Sequence, residues 1–228
     1  VEKSVIKETN LELQMVEAYR DGMRELDRGD VLFAAKKFNE AEILFPQSEL
    51  APRAALMAAY SYYSQNYYLD AIAELDRFLK IYRNHANTVY AEYLLALCYY
   101  EQIVDEKKDL NSIENSKKVF VRLINNYPNT EYALDAQFKL DLINDVLASK
   151  EMYVGRYYVE KKKWIAAINR FKFVLENYET TIYVEEALHR LVEIYFIIGL
   201  EQESKKYANL LGYNYQSSRW YENSYSIF

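Results

Sequence analysis

The stretch that most restricts what this chain can fold into is Tyr153–Glu179, YVGRYYVEKKKWIAAINRFKFVLENYE. Within it Gly155, Ala167 and Phe171 stand 12 and 4 residues apart. Trp164, Ala167, Ile168, Phe171, Val174 and Leu175 recur near the 3.6-residue period and form one apolar stripe of a helix. Ahead of them Val154, Tyr157 and Tyr158 share a side of a second helix, which ends in Lys161, Lys162 and Lys163. The small residues let two helices approach, and the aromatic plugs the gap behind them. Such a hairpin cannot bury both faces alone, so it needs neighbours.

The same spacing recurs. Gly22, Ala34, Phe38, Ala41 and Pro46 repeat it, as do Ala59, Ala71, Leu75 and Phe78, and then Ser116, Phe120, Leu123 and Pro128. The equivalent small residues Ala34, Ala71, Ser116, Ala167 and Ser204 are separated by 37, 45, 51 and 37 residues. This is the signature of degenerate tetratricopeptide (TPR) repeats, and the spacing predicts an all-α, right-handed α-solenoid of five helix pairs. Only 5 Gly and 3 Pro, and no sustained apolar–polar alternation, leave little room for sheet.

In order, the expected helices are 10–28 and 31–44, 49–65 and 69–82, and 89–103 and 112–126, with residues 1–9 polar and frayed. Between the third pair lies VDEKKDLNSIE, about eight residues more than the repeat requires, read as a surface loop. Residues 131–148 form an additional packing helix ahead of the fourth pair, and 183–198 with 201–211 make the fifth. Ser48, Asn129-Thr130 and Thr180-Thr181 are the expected N-caps. The aromatic tail Gly212–Phe228 docks as a short helix from Ser218. Residues 1–128 then hold repeats 1–3, and residues 129–228 hold repeats 4–5 and the tail.

No chemistry-bearing constellation stands out. His85 and His189 are far apart, Cys98 lies in line with Ala91, Leu94 and Leu95, and there is no Gly-rich phosphate loop or G-x-S-x-G elbow. Asp105, Glu106 and Asp109 lack the alternate-ligand order of a calcium loop. The reading is a protein that is not an enzyme, with no catalytic residue, metal or cofactor. Cys98 is expected as a buried free thiol, His85 in a turn, and His189 half-exposed on a helix. A net charge of −6 argues against wholesale attraction to nucleic acid or an anionic bilayer. Lys150–Lys172 runs the other way, with seven basic and two acidic residues, which suits either a solvated face or an acidic protein partner. No apolar run approaches the ~20 residues of a membrane span. The chain starts without Met, and no signal-peptide pattern appears at Val1.

Binding is what a solenoid offers, and its groove is lined by the first helix of each pair. Those helices present Val16, Tyr19, Met23 and Leu26, then Arg53, Leu56, Tyr60 and Tyr63, with Phe45 at the adjoining corner. The 24 tyrosines give flat apolar bodies with polar tips, suited to half-wet grooves. The groove reading is an apolar or aromatic peptide site. Its alternative is that the stacked helices or the N-terminal segment bury these residues.

Longer stretches then add a resemblance. FPQSEL after the first pair, ELDRFLKIYRNHANTVYAEY, YPNTEYALDA, YYVEKKKWIAAINRFKFVLENYETT and the aromatic tail occur in order. Together, over roughly Glu17 to Leu211, they resemble the BamD family, the TPR lipoproteins of the outer-membrane β-barrel assembly machine. The W-x-A-x-x-N-R run at Trp164–Arg170 is the most specific part. Phe45-Pro46 replaces a usual Y-P, and Glu179 replaces a proline. The resemblance implies a non-catalytic protein on the periplasmic face of the outer membrane, lipid-anchored through an N-terminal signal and cysteine outside this chain. It implies C-terminal repeats that hold the POTRA domains of the barrel-forming subunit (BamA), with Arg170, Asn169 and Trp164 at the contact. It implies N-terminal repeats that receive the aromatic-ended C-terminal signal of unfolded outer-membrane proteins, which assigns Tyr19, Phe45, Leu56, Tyr60 and Tyr63 to that signal. Other accessory lipoproteins of the complex are further implied partners. The competing reading is a periplasmic TPR organiser of the cell-envelope division machinery, which shares the Y-P-x-[ST] corner; its usual coiled-coil trimerisation segment is not present in these residues.

Overall fold

The structure, a computed structural model, describes the backbone of residues 2–104 and 110–228 and the side chains of residues 11–103 and 111–228. Four of its helices end in one recurring turn. α1 (Glu2–Arg28) and α2 (Val31–Leu44) meet at Gly29, and α3 (Leu50–Ser64) and α4 (Tyr68–Ile81) meet at Asn66. α5 (Thr88–Glu101), extended by a 3-10 turn at Gln102–Val104, is followed by α6 (Leu110–Asn126). α7 (Glu131–Glu160) and α8 (Trp164–Asn177) meet at Lys162, and α9 (Val184–Ile197) and α10 (Glu201–Asn214) at Gly199. The short α11 (Arg219–Tyr225) ends the chain.

At all four turns the named residue is left-handed, with φ of 84°, 65°, 56° and 80° in chain order. The next residue then donates its N–H five positions back: Asp30 to Glu25, Tyr67 to Tyr62, Lys163 to Tyr158 and Leu200 to Tyr195, at 2.8–3.0 Å. This closes orphan carbonyls at the helix end.

The repeat spacing is borne out by packing. Phe38, Phe78, Phe120 and Phe171 are fully buried, and so are Ala34, Ala71, Ser116, Ala167 and Ser204. A Cβ at Gly22 would stand 2.8 Å from Phe38 Cε1, and one at Gly155 would stand 2.6 Å from Phe171 Cε1. Glycine is required there by proximity, whatever the backbone angles. Where the small residue is serine, its hydroxyl is absorbed by the partner helix: Ser204 Oγ donates to the Val192 carbonyl at 2.8 Å and Ser116 Oγ to the Ala96 carbonyl at 3.3 Å. Those pairs are 12 and 20 residues apart, and the difference of eight is the excess between α5 and α6. The surface-loop reading of that excess, with Asp105, Glu106 and Asp109, lies outside the described residues; α6 itself begins at Leu110, two residues before the expected start.

The chain forms two compact units, Val1–Gln137 and Phe138–Phe228. In the first, the carboxylate of Glu42 on α2 is buried. It accepts from Arg77 Nη1 at 2.9 Å and Nη2 at 2.7 Å, and from the Tyr82 hydroxyl at 2.7 Å. Arg77 lies on α4, so this network ties consecutive hairpins together. A buried carboxylate tolerates that position only when fully bonded. Cys98 on α5 is buried as expected, and burial pushes its thiol up to about 12. In the second unit Glu186 on α9 plays the corresponding part, accepting from Arg156 Nε at 2.8 Å and Nη2 at 2.6 Å.

Several local expectations are corrected. α1 extends back to Glu2, where fraying was expected. The expected helix 131–148 and the first helix of the fourth pair are one helix, α7. Ser149–Met152 holds no breaker, and Ala148 and Met152 continue the buried stripe that packs on Phe171 and Leu191. Ser48 and Thr130 do cap, accepting from the N–H of Leu50 and Ala133 at 3.1 and 3.2 Å. Thr181 instead donates back to the Tyr178 carbonyl, and no side chain caps α9. α10 runs through Gly212 to Asn214, and Tyr221 lies against that glycine, 2.6 Å from where a Cβ would be. α11 starts as expected at Ser218, whose Oγ accepts from the Trp220 N–H at 3.1 Å. His189 is not half-exposed. It is buried under α11, with Nδ1 2.8 Å from Ser224 Oγ and its ring 5.1 Å from that of Trp220.

Candidate functional site

In the first unit, Tyr19 on α1, Arg53, Leu56, Met57 and Tyr60 on α3, and Asn87 and Tyr90 at the start of α5 enclose a groove of about 510 Å³. The first helices of three successive hairpins therefore build it. Of the residues expected to take a peptide, the structure brings Tyr19, Leu56 and Tyr60 together. Tyr19 stands edge-on to Phe38 with centroids 5.2 Å apart, so the core holds its ring in place. Leu56 is buried in the floor, while Tyr60 is 37% exposed and available to a ligand.

The structure does not bring Phe45 and Tyr63 to the groove. Phe45 packs against Met15, Ala18, Ala41, Ala51 and Ala54 where α1, α2 and α3 meet. Tyr63 turns towards Tyr68, 6.0 Å between centroids; burial, and then the charge of Glu101, push its phenol up to about 12. Tyr90 stands in its place. That residue was missed, although a signal existed: the 37-residue step between Ala34 and Ala71 carries Arg53 onto position 90. Further tyrosines continue the wall. Tyr132 lies 5.8 Å from Tyr90 and 5.1 Å from Tyr93, and the Tyr93 hydroxyl donates to Asp135 at 2.6 Å.

The groove is apolar, and among the described residues one cation and no acidic side chain line it. Arg53 meets no carboxylate among the described residues; it acts on the Tyr19 hydroxyl, whose pKa burial raises and Arg53 pulls back. Asn87 precedes α5, yet its side chain makes no cap bond.

The second expected contact lies in the other unit. Asn169 and Arg170 line a hollow of about 290 Å³ with Tyr158, Ala166 and Phe173. Arg170 Nη1 donates to Glu151 Oε2 at 3.0 Å, and its side chain remains 44% exposed. Trp164 is not in this hollow; it packs half-buried on the cluster around Phe171. The basic excess of Lys150–Lys172 is partly spent internally. Arg156 and Arg170 hold Glu186 and Glu151, and Lys161 and Lys172 lie over the rings of Tyr157 and Tyr195.

Among the described residues no helix is long and apolar enough to cross a membrane, and no group of three or more His, Cys, Asp or Glu side chains is placed to hold a metal ion.

Comparison with known proteins gives these features a family. The outer membrane protein assembly factor BamD of Caulobacter vibrioides is 44% identical over 209 residues, covering 92% of this chain and 68% of that protein. Its namesake in Rickettsia prowazekii is 43% identical over 209 residues, covering 92% and 83%. That of Neisseria meningitidis serogroup A is 30% identical over 210 residues, covering 88% and 79%. Among solved structures, a tetratricopeptide repeat protein from Parabacteroides merdae is 15% identical over 94% of this chain and 73% of that one, with a TM-score of 0.46, too loose a likeness to carry weight. The family model described as YfiO, outer membrane lipoprotein, matches residues 11–211, and the chain belongs to that family.

Proposed function

We propose that this chain is a non-catalytic binding scaffold in outer membrane protein assembly, the process for which its relatives are named. Its groove receives the aromatic-ended C-terminal signal of unfolded outer-membrane proteins. Its α8 face, with Asn169 and Arg170 at the surface and Trp164 bracing the helix, takes the POTRA domains of the barrel-forming subunit BamA. Other accessory lipoproteins of the complex bind alongside, and a lipid anchor outside residues 1–228 holds the protein at the periplasmic face of the outer membrane.

The observation that carries this reading is the groove of Tyr19, Leu56, Tyr60 and Tyr90, an aromatic-lined cleft of about 510 Å³ built by the first helices of three successive hairpins. Such a cleft binds by burying an apolar side chain, worth roughly 1.5 to 3 kcal/mol for a full aromatic ring. Titrating a labelled peptide that ends in phenylalanine tests it. Tyr60→Ala should weaken binding about tenfold, within that range. Equal affinities for wild type and Tyr60→Ala would remove the groove from the account.

A further inference from the structure

Where an arginine of one helix hairpin meets the next, it holds a carboxylate in two places: Arg77 holds Glu42 and Arg156 holds Glu186. Arg53 breaks the pattern. It lines an aromatic groove, has no carboxylate partner among the described residues, and shares that groove with the amide of Asn87, which no cap bond occupies. Guanidinium and amide together offer several N–H donors and, among the groove's side chains, no anion to receive them.

We infer that Arg53, assisted by the Asn87 amide, binds the free α-carboxylate of the occupant, so that the groove accepts a chain terminus and rejects the same aromatic sequence inside a longer chain. This rests on the groove being a peptide site, as proposed above, and adds what selects among peptides. Charge complementarity is the argument: one cation with no carboxylate partner among the described residues, three tyrosines and a leucine floor match one carboxylate beside one aromatic ring. Arg53 precedes Leu56 by about one helical turn and Tyr60 by about two, so it sits roughly 10 Å along α3 from Tyr60. An extended chain covers that distance in about three residues. A terminal aromatic residue can therefore lay its ring on Leu56 while its carboxylate meets Arg53. An amidated or continuing chain presents N–H groups or further backbone where the arginine also presents N–H groups, and both the charge and the acceptor geometry are lost.

The test uses the full chain and two labelled peptides of one sequence ending in phenylalanine, one with a free carboxylate and one amidated. Wild type should bind the acid about tenfold tighter than the amide, the usual weight of a hydrogen bond to a charged group. That gap should narrow as salt rises, because the pair is partly exposed. Arg53→Gln should bring the acid down to the amide and leave the amide unchanged. The side chain is exposed, so the variant should fold, and unchanged amide binding would show that it has. Tyr60→Ala should weaken both peptides equally. If both peptides bind wild type equally, or the gap survives Arg53→Gln, the carboxylate reading is wrong and the groove reading stands. If neither peptide binds wild type, the groove reading itself fails and this inference with it.

Discussion

The groove on α1, α3 and α5 and the hollow on α8 each set an arginine beside aromatic side chains, but the two arginines differ in what they already hold. Arg53 faces Tyr19 and Tyr60 with no carboxylate in reach among the described residues, whereas Arg170 already donates to Glu151 at 3.0 Å. An incoming carboxylate at the first site fills a vacancy in the charge pattern. At the second it must share Arg170 with Glu151 or displace it. The groove should therefore select its ligand by the presence of charge, and the hollow should select by competing with a bond inside the chain. Being exposed, the Arg170–Glu151 pair is individually weak, which suits an exchange of partners.

The largest effects should separate the two regions by their cores. Phe38→Ala and Phe171→Ala each empty a fully buried site beneath a glycine, at a cost of about 3–5 kcal/mol. Phe38→Ala also removes the ring that supports Tyr19, so peptide binding should fall severalfold at temperatures where the protein stays folded. Phe171→Ala should spare it. Denaturant melts paired with peptide titration measure both, and equal losses of peptide affinity would break the contrast.

Next in size is the exchange at the hollow. Arg170→Glu should weaken binding to the POTRA domains of BamA by at least about tenfold, since it repels the carboxylate it should attract. Arg170→Lys should be intermediate, because lysine cannot reproduce the two-pronged geometry. Glu151→Gln should do the opposite, leaving binding intact or a few-fold tighter by releasing the guanidinium. Co-purification and surface-binding assays read all three. A Glu151→Gln defect as deep as that of Arg170→Glu would mean that the pair is needed intact.

A smaller effect concerns acid. Burial pushes the Glu186 carboxyl up, but hydrogen bonds and charge from Arg156, with Arg190, hold it below its ordinary value. Glu193 is likewise held down by His189 and Arg190 against burial. A carboxylate lowered on folding adds stability that is present above its unfolded pKa, near 4.3, and is lost as pH falls through the folded value. Both tryptophans, Trp164 and Trp220, lie in the second unit, so their fluorescence follows that unit. Its unfolding free energy should drop below about pH 4.3, by an amount on the order of 1 kcal/mol, since Arg156 is partly solvated. Arg156→Gln should flatten that drop. In the first unit burial raises Asp76 instead, with Arg122 opposing, so no matching acid loss is expected from it.

The smallest change is at the turn before α8. Lys162 is left-handed where the equivalent turns of the first and fifth hairpins use Gly29 and Gly199. Lys162→Gly should relieve that backbone at some entropic cost, for a net gain of roughly 0.5 kcal/mol in a thermal melt. BamA binding should not change. A loss would shift the contact from Arg170 to the lysine run.

Much of this was legible before any coordinates, and the particular residues show why. Gly22 with Phe38 and Gly155 with Phe171 are both 16 residues apart, a spacing set by two helices and one short turn, so the contact is local and its chemistry is written in one stretch of chain. The groove was half legible. Tyr19, Leu56 and Tyr60 follow from the helical face of each first helix. Whether the next tyrosine along faces the groove depends on how one hairpin stacks on the next, and that stacking exchanged Tyr63 for Tyr90. Asn87 carried no signal, because an asparagine before a helix is ordinarily a cap and here it is not.

By itself, then, the amino-acid order determined the helical class, the five hairpins and the eight-residue excess in the third, since each rests on interactions within about one hairpin's length. The tertiary structure alone decided which polar groups became partners. His189 is buried because a tail 35 residues later returns to cover it, and Glu42 is bonded in the core because Arg77, 35 residues on, reaches it with two N–H groups. Arg170 came to rest on Glu151, and Arg53 on no carboxylate among the described residues. A side chain's charge can be read from its letter. Whether that charge is already neutralised depends on which hairpin packs against it, and no local spacing encodes that.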